Sequence, residues 1–292
     1  MPFIPDWTVQ FSITNPYSTE KGTTLLLNVD TGDGWYMVDQ SNSGIVIDVR
    51  STKDNVPQAD GSILHTRFLT GSEIEFAVQL WQDPNNLACD AQLARMLDNI
   101  SGALRSMLNA GDNEGRVAWD IHGGSDTRML DDARLHVYPV FSMSGSIPTV
   151  TFKIDSQYPY AQDLTPVRTA ISDGQTVTIN NAGTAIYYPV FQVNRYNNVT
   201  EAAAVGAFLI QNITTGDEFT YNDTLPGAPT IAANHYAEIN CFRNTIYRDG
   251  TGANLKAGVE QLTSEYITLR PGDNDISIFG CPMDMLWANA YG

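Results

Sequence analysis

The chain holds 292 residues, 42% hydrophobic and 17% charged, long enough for two ordinary cores and too apolar for extended disorder. Its formal net charge of −17 divides into −11 before Thr165 and −6 after it, so neither half offers the clustered Lys and Arg that phosphate tracking needs. The opening MPFIPDWTVQ lacks the basic and apolar regions of a secretory signal, and no run approaches eighteen continuous apolar residues, so neither export nor membrane insertion by a helix is expected.

Alternation at Trp7, Val9, Phe11 and Ile13 predicts a first strand, followed by TLLLNV and WYMV. GIVIDVR places Ile45, Ile47 and Val49 on one strand face. The polar stretch from Ser51 to Gly61 reads as a long loop, and SILHTRFL and EIEFAVQLW read as two strands bracketing a Thr70-Gly71 turn. One helix is expected. Asp83 caps it, Pro84 takes its first position, and Leu87, Ala91, Ala94, Leu97, Ile100, Leu104 and Met107 form an apolar stripe that ends before Asn109 to Gly111. Strands resume at RVAWDI, RLHVYPVF and TVTFKID.

Tyr158-Pro159-Tyr160 closes the front module, and AQDLTPVRTAISDG reads as a linker, which gives domains at 1–165 and 166–292 with the boundary near Thr165. The back module is expected to be an all-β sandwich. Short β-type runs, QTVTINNAGTAIYYPVFQV, GAFLIQNITTGDEFTY, HYAEINCF and YITLRPGDNDISIFG, are separated by Asp-Gly, Thr-Gly and Pro-Gly turns.

No catalytic, cofactor-binding or metal site is legible. Cys89, Cys241 and Cys281 are far apart and odd in number, as expected of free thiols. His65, His122, His136 and His235 are never three or four residues apart, so no helical metal pair forms. His122-Gly123-Gly124-Ser125 lacks the G-x-S-x-G partner of an esterase oxyanion loop and reads as a turn. Asp30-Thr31-Gly32-Asp33-Gly34 lacks the further ligands of a calcium loop, and Gly250 and Gly252 lack the third glycine of a dinucleotide loop. Glu73 with Glu75 and Asp131 with Asp132 are carboxylate pairs in an acidic chain, which alone signal no acid–base chemistry. Asn99, Asn198, Asn212 and Asn222 begin N-x-[ST] tripeptides that read as chance occurrences. Tyr187, Tyr188, Tyr196, Tyr221 and Tyr236 would suit sugar stacking if displayed, though alternation turns about half of strand aromatics inward.

In their order, several passages resemble the distal tail proteins of long, non-contractile-tailed bacteriophages, the Dit-like siphovirus tail family. They are VRSTKDNVPQADGSILHTRFLTGSEIEFAVQL, the helix from Pro84 to Met107, FKIDSQYPYAQD, the Asn-Ala-Gly turn before YYPVFQV, LIQNITTGDEF and LRPGDNDISIFG. The resemblance implies a mainly β protein: a tail-tube-like β-barrel or sandwich with one helix, then a galectin-like or carbohydrate-module-like sandwich. It implies a non-enzymatic virion protein at the distal end of the tail. Six copies would form a ring joining the tail tube protein to the tip hub and neighbouring minor tail proteins, around a channel that DNA traverses without specific binding. Acidity would keep phosphate from sticking there. The Ser51–Gly61 stretch would be an inter-subunit or tube-facing loop, or a solvated hairpin tip. The alternative function is a back sandwich that contacts host surface glycans. CPMDMLWANAYG runs past the last expected strand, leaving Met283, Leu286, Trp287 and Tyr291 to cover their own domain or a neighbour.

Overall fold

The computed structural model describes residues 10–14, 24–27, 35–38, 44–55, 62–81, 89–108, 115–121, 126–144, 147–156, 158–250, 252–260 and 264–291. Its contacts divide the chain into two compact units, Met1–Leu164 and Thr165–Gly292. It is mainly β, with one α-helix among the described residues.

The front unit contains β1 (Gln10–Thr14), β2 (Thr24–Leu27), β3 (Trp35–Val38), β4 (Gly44–Asn55) and β5 (Ser62–Trp81). After these come α1 (Cys89–Leu108), β6 (Gly115–Ile121), β7 (Asp126–Ser144), β8 (Ile147–Ser156) and β9 (Ala161–Asp163). All of its strand pairs are antiparallel, in the order β2-β1-β6-β7-β8-β5-β3, with β4 on β5 and β9 on β7. The period of two explains the core. Ile74, Phe76, Val78 and Leu80 of β5 turn inward, and register sets Ile74 opposite Ile154, Phe76 opposite Phe152 and Val78 opposite Val150. The Phe76 and Phe152 rings stack 5.2 Å apart at 26°, an arrangement worth about 0.5–1.5 kcal/mol beyond the area it buries. Ile13 meets Leu25 on one side and Val117 on the other, carrying the same apolar layer into β2 and β6.

The helix covers this layer with a face that keeps Leu97, Ile100 and Leu104 of the expected stripe but is rotated away from its alanines. Gln92, Met96, Ile100, Ala103 and Leu104 are buried, Leu93 and Leu97 flank them, and Ala91 and Ala94 are exposed. Alanine's small side chain carries little apolar drive, so long Met96 sets the rotation. Asp83, Pro84, Leu87 and Asn109 to Gly111 lie outside the described residues, as do the side chain of Met107 and the segments holding Trp7, Val9 and Asp30 to Gly34.

Two other expectations change. The Ser51–Gly61 stretch is no eleven-residue loop: β4 continues to Asn55 and stays paired with β5 as far as Asn55 opposite Ser62, and residues 56–61 lie outside the description. Nor is Thr70-Gly71 a turn. β5 is one strand of 20 residues, and Thr70 is an extra residue in a bulge between the pairs Asp48–Gly71 and Val49–Leu69.

The back unit is a two-sheet sandwich. Its strands are β10 (Val167–Ile171), β11 (Thr176–Asn181), β12 (Val190–Val193), β13 (Arg195–Tyr196), β14 (Val199–Thr200), β15 (Ala207–Asn212), β16 (Glu218–Asn222), β17 (Ala237–Asn240), β18 (Thr245–Arg248), β19 (Gly272–Phe279) and β20 (Met283–Trp287). One sheet runs β10-β20-β12-β17-β18, the other β11-β19-β15-β16, and β13 and β14 form a small separate hairpin. The core draws Ile171, Phe191, Val193, Ile239, Met283 and Met285 from the first sheet, and Ile179, Ile210, Phe219, Tyr221, Ile276 and Ile278 from the second. Gly216, at φ 86, makes the β15–β16 turn as the Thr-Gly signal predicts.

Here too the sequence misleads at both ends. The passage read as a linker contains β9 and β10, and CPMDMLWANAYG contains β20, an interior strand paired on both sides. β20 hides its signal because Asp284, wholly buried, interrupts the apolar run. That carboxylate accepts bonds from Arg168 Nη1 at 2.8 Å, the Asn197 N–H at 2.9 Å and the Asn198 N–H at 2.6 Å. The ladder continues through Gln192, which accepts from Arg168 and donates to Glu238 Oε2 at 3.1 Å. Replacing Asp284 by Ala strands Arg168 and two backbone donors, and is expected to cost about 2–4 kcal/mol of stability in chemical denaturation.

Burial, with the charge of Asp223 adding to it, pushes the Tyr221 hydroxyl from 10.0 up to about 12, and that hydroxyl donates to the Pro229 carbonyl. Above pH 10 an unfolded tyrosine releases its proton while folded Tyr221 retains it, so the unfolded state binds fewer protons and stability falls as pH rises from about 10 to 12. The denaturation midpoint is expected to drop across that window, and Tyr221→Phe is expected to flatten the drop.

Candidate assembly surface

Among the described residues, two features of the front unit leave strand edges without a partner strand. Beyond the pair Ser72–Ser156, β8 no longer supports β5, so residues 62–71 of β5 continue, among the described strands, with β4 alone as a two-stranded ribbon about 30 Å long. An isolated two-stranded ribbon is marginal in water, and its open edges invite strand addition. β7 is the second feature. Its first part pairs with β6, but from Arg134 to Ser144 it pairs with β8 only, and among the described residues no strand pairs with its other edge. Pro139, which has no N–H to leave unpaired, sits in that stretch, and Val137, Val140 and Phe141 are 37%, 55% and 50% exposed. Val137, Val140 and Phe141 thus give this edge exposed apolar surface that a partner could cover.

The outer face of β5, β8 and β7 is charged. Glu73 and Glu75 alternate with the inward residues of β5, and Lys153 and Asp155 do the same on β8. Lys153 Nζ lies 2.7 Å from Glu73 Oε1 and 3.3 Å from Glu75 Oε2, and hydrogen bonds to both carboxylates raise its pKa. A β7 bulge makes His136 the extra residue between the pairs Leu135–Ile154 and Val137–Lys153, which brings its Nδ1 to 2.5 Å from Asp155 Oδ2. Burial raises the Asp155 pKa, with the charge of Glu73 adding and that of His136 opposing.

No local pattern signals this grouping, because its members come from three strands and only register joins them. Asp131 and Asp132 stand at another β7 bulge. His65 lies on β5, with its side chain outside the description, and His122 to Ser125 fall outside it altogether. His235 Nδ1 lies 2.6 Å from Asp249 Oδ2. Gly250, at φ 78, belongs to a turn, and a Cβ on Gly252 would stand 2.5 Å from the Arg248 carbonyl oxygen, which explains both glycines without a ligand. Asn212 is wholly buried and donates to the Thr268 carbonyl, so this tripeptide is closed to a glycan in the folded chain. Of the five tyrosines, Tyr187 and Tyr221 are buried, and Arg195 covers the ring of Tyr236 with its Cζ 5.0 Å from the centroid.

No family model and no curated protein matches the sequence. Among solved structures, the Dit protein of phage SPP1, described as a paradigm of the hub adsorption apparatus in phages infecting Gram-positive hosts, superposes with a TM-score of 0.59. The match covers 97% of this chain and 99% of that one at 13% identity. The chain has the Dit fold. Structures of the phage p2 baseplate in its activated conformation also match, with strontium at a TM-score of 0.47 and 14% identity and with calcium at 0.46 and 13%. They cover 96% and 98% of this chain and 98% of each partner chain. The superposition on SPP1 Dit extends over both units of this chain.

Cys241 and Cys281 are free and buried. Burial pushes the Cys281 thiol up to about 12 and raises that of Cys241 further. Native protein at pH 8 is therefore expected to resist thiol reagents at both positions, with full labelling on unfolding, as mapped by peptide mass spectrometry.

Proposed function

We propose that this chain is a structural protein of a phage virion, a distal tail component whose copies close into a ring, with six-fold symmetry, between the tail tube and the tip hub. The observation that carries the reading is the superposition on SPP1 Dit over nearly the full length of both chains. The open ribbon of β4 and β5 and the half-paired β7 supply what a ring requires, two different surfaces on each copy that meet head to tail. The ribbon replaces the Ser51–Gly61 loop as the inter-subunit element. The chain's work is mechanical coupling without catalysis, and the acidity of both halves suits a wall that DNA passes without arrest. The glycan-binding alternative draws less support, since the back-unit tyrosines read as candidate stacking platforms include two that are buried and one that is covered.

Native mass spectrometry of the purified full chain is expected to show hexamers that grow with concentration. Val140→Glu combined with Phe141→Glu places two charges on the open edge, and is expected to shift the population to monomers while leaving circular dichroism unchanged. Particles from the intact phage labelled by an antibody to this chain are expected to carry it at the far end of the tail. A strictly monomeric protein at every concentration, together with unlabelled particles, would overturn the reading.

A further inference from the structure

We propose that Glu73, His136 and Asp155 bind a divalent transition-metal ion, with zinc as the ion their donors suit, on the outer face of the front unit. One nitrogen and two carboxylate oxygens are a donor set that zinc accepts, with water completing four-fold coordination. The three side chains each offer one ligand atom, and these atoms all lie within 4.8 Å of one another. Ligands about 2.0–2.2 Å from a tetrahedral zinc stand about 3.3–3.6 Å apart, so the site needs the close His136–Asp155 contact to open by about 1 Å and the longer approaches to contract by a similar amount. Side-chain rotations of that size are open to groups at the surface, where His136 is 54%, Asp155 42% and Glu73 33% exposed.

Two independent observations favour a cation here. The first is geometric. His136 reaches Asp155 only because the β7 bulge inserts it as an unpaired residue, a device that re-aims a side chain at the cost of a ladder position. The second is charge. Glu73, Glu75 and Asp155 face the ammonium of Lys153 and the guanidinium of Arg134, which lies opposite Asp155 in register, and the excess of one carboxylate favours a cation. Lys153 engages Oε1 of Glu73 and therefore orients that carboxylate while its second oxygen turns to the ion, the kind of outer support that metal ligands require.

The inference stands apart from the ring proposal, because its readout is ion binding by each chain and not assembly. Full-length protein stripped with chelator and titrated calorimetrically with zinc chloride is expected to take up one ion per chain. His136→Ala, Asp155→Asn and Glu73→Gln are each expected to weaken uptake by roughly tenfold or more, while Glu75→Gln, outside the donor set, loses less than any of the three. Cobalt(II) chloride is expected to give visible ligand-field bands in the parent protein that vanish in His136→Ala. All these positions are at least one-third exposed, so circular dichroism of the variants is expected to match the parent. Absence of zinc uptake by the parent protein, or uptake that His136→Ala and Asp155→Asn leave unchanged, would sink the proposal.

Discussion

Register between β5 and β8 is the constraint on which the front unit depends. Because strand side chains alternate with a period of two, a slip of one residue would turn Ile74, Phe76 and Val78 outward and bring Glu73 and Glu75 into the core. The stacked Phe76–Phe152 pair, flanked by Ile74–Ile154 and Val78–Val150, makes that slip prohibitive. One choice of register therefore does two jobs. It closes the apolar layer under the helix, and it assembles Glu73, Glu75, Lys153 and Asp155 on the opposite face.

The back unit solves a different problem. Its five-stranded sheet carries a transverse polar ladder, Arg168, Asp284, Gln192 and Glu238, and the small β13–β14 hairpin closes over it. Asn197 and Asn198 there adopt φ of 48° and 65°, values at which Asn is among the least strained residues, and their N–H groups both point at Asp284. The buried charge is tolerable because three donors meet it. Tyr221 shows the same logic, with a buried hydroxyl spent on one carbonyl.

Most of the strands were legible, because alternation and turn chemistry are local. RVAWDI, WYMV and LIQNITTGDEF reappear as β6, β3 and the β15–β16 hairpin. What local pattern could not supply was pairing. A polar, Asp- and Lys-bearing stretch from Ser51 looks like a loop until β5 is set beside it, and Thr70-Gly71 looks like a turn until a bulge absorbs the extra residue. Asp284 disguised β20 because a lone carboxylate in an apolar run argues against burial unless its donors, more than eighty residues earlier, are known. The His136 grouping was invisible for the same reason: spacing rules written for helices do not describe ligands that three strands deliver side by side.

The β4–β5 ribbon has a mechanical consequence. It is anchored where β8 stops, at Ser72, so it behaves as a lever with a fixed root. Over a reach of about 30 Å, a tilt of about 10° at the root sweeps the far end through about 5 Å, a full strand spacing. Small rearrangements of the front-unit sheet are thus magnified into displacements large enough to make or break a row of backbone contacts at the tip.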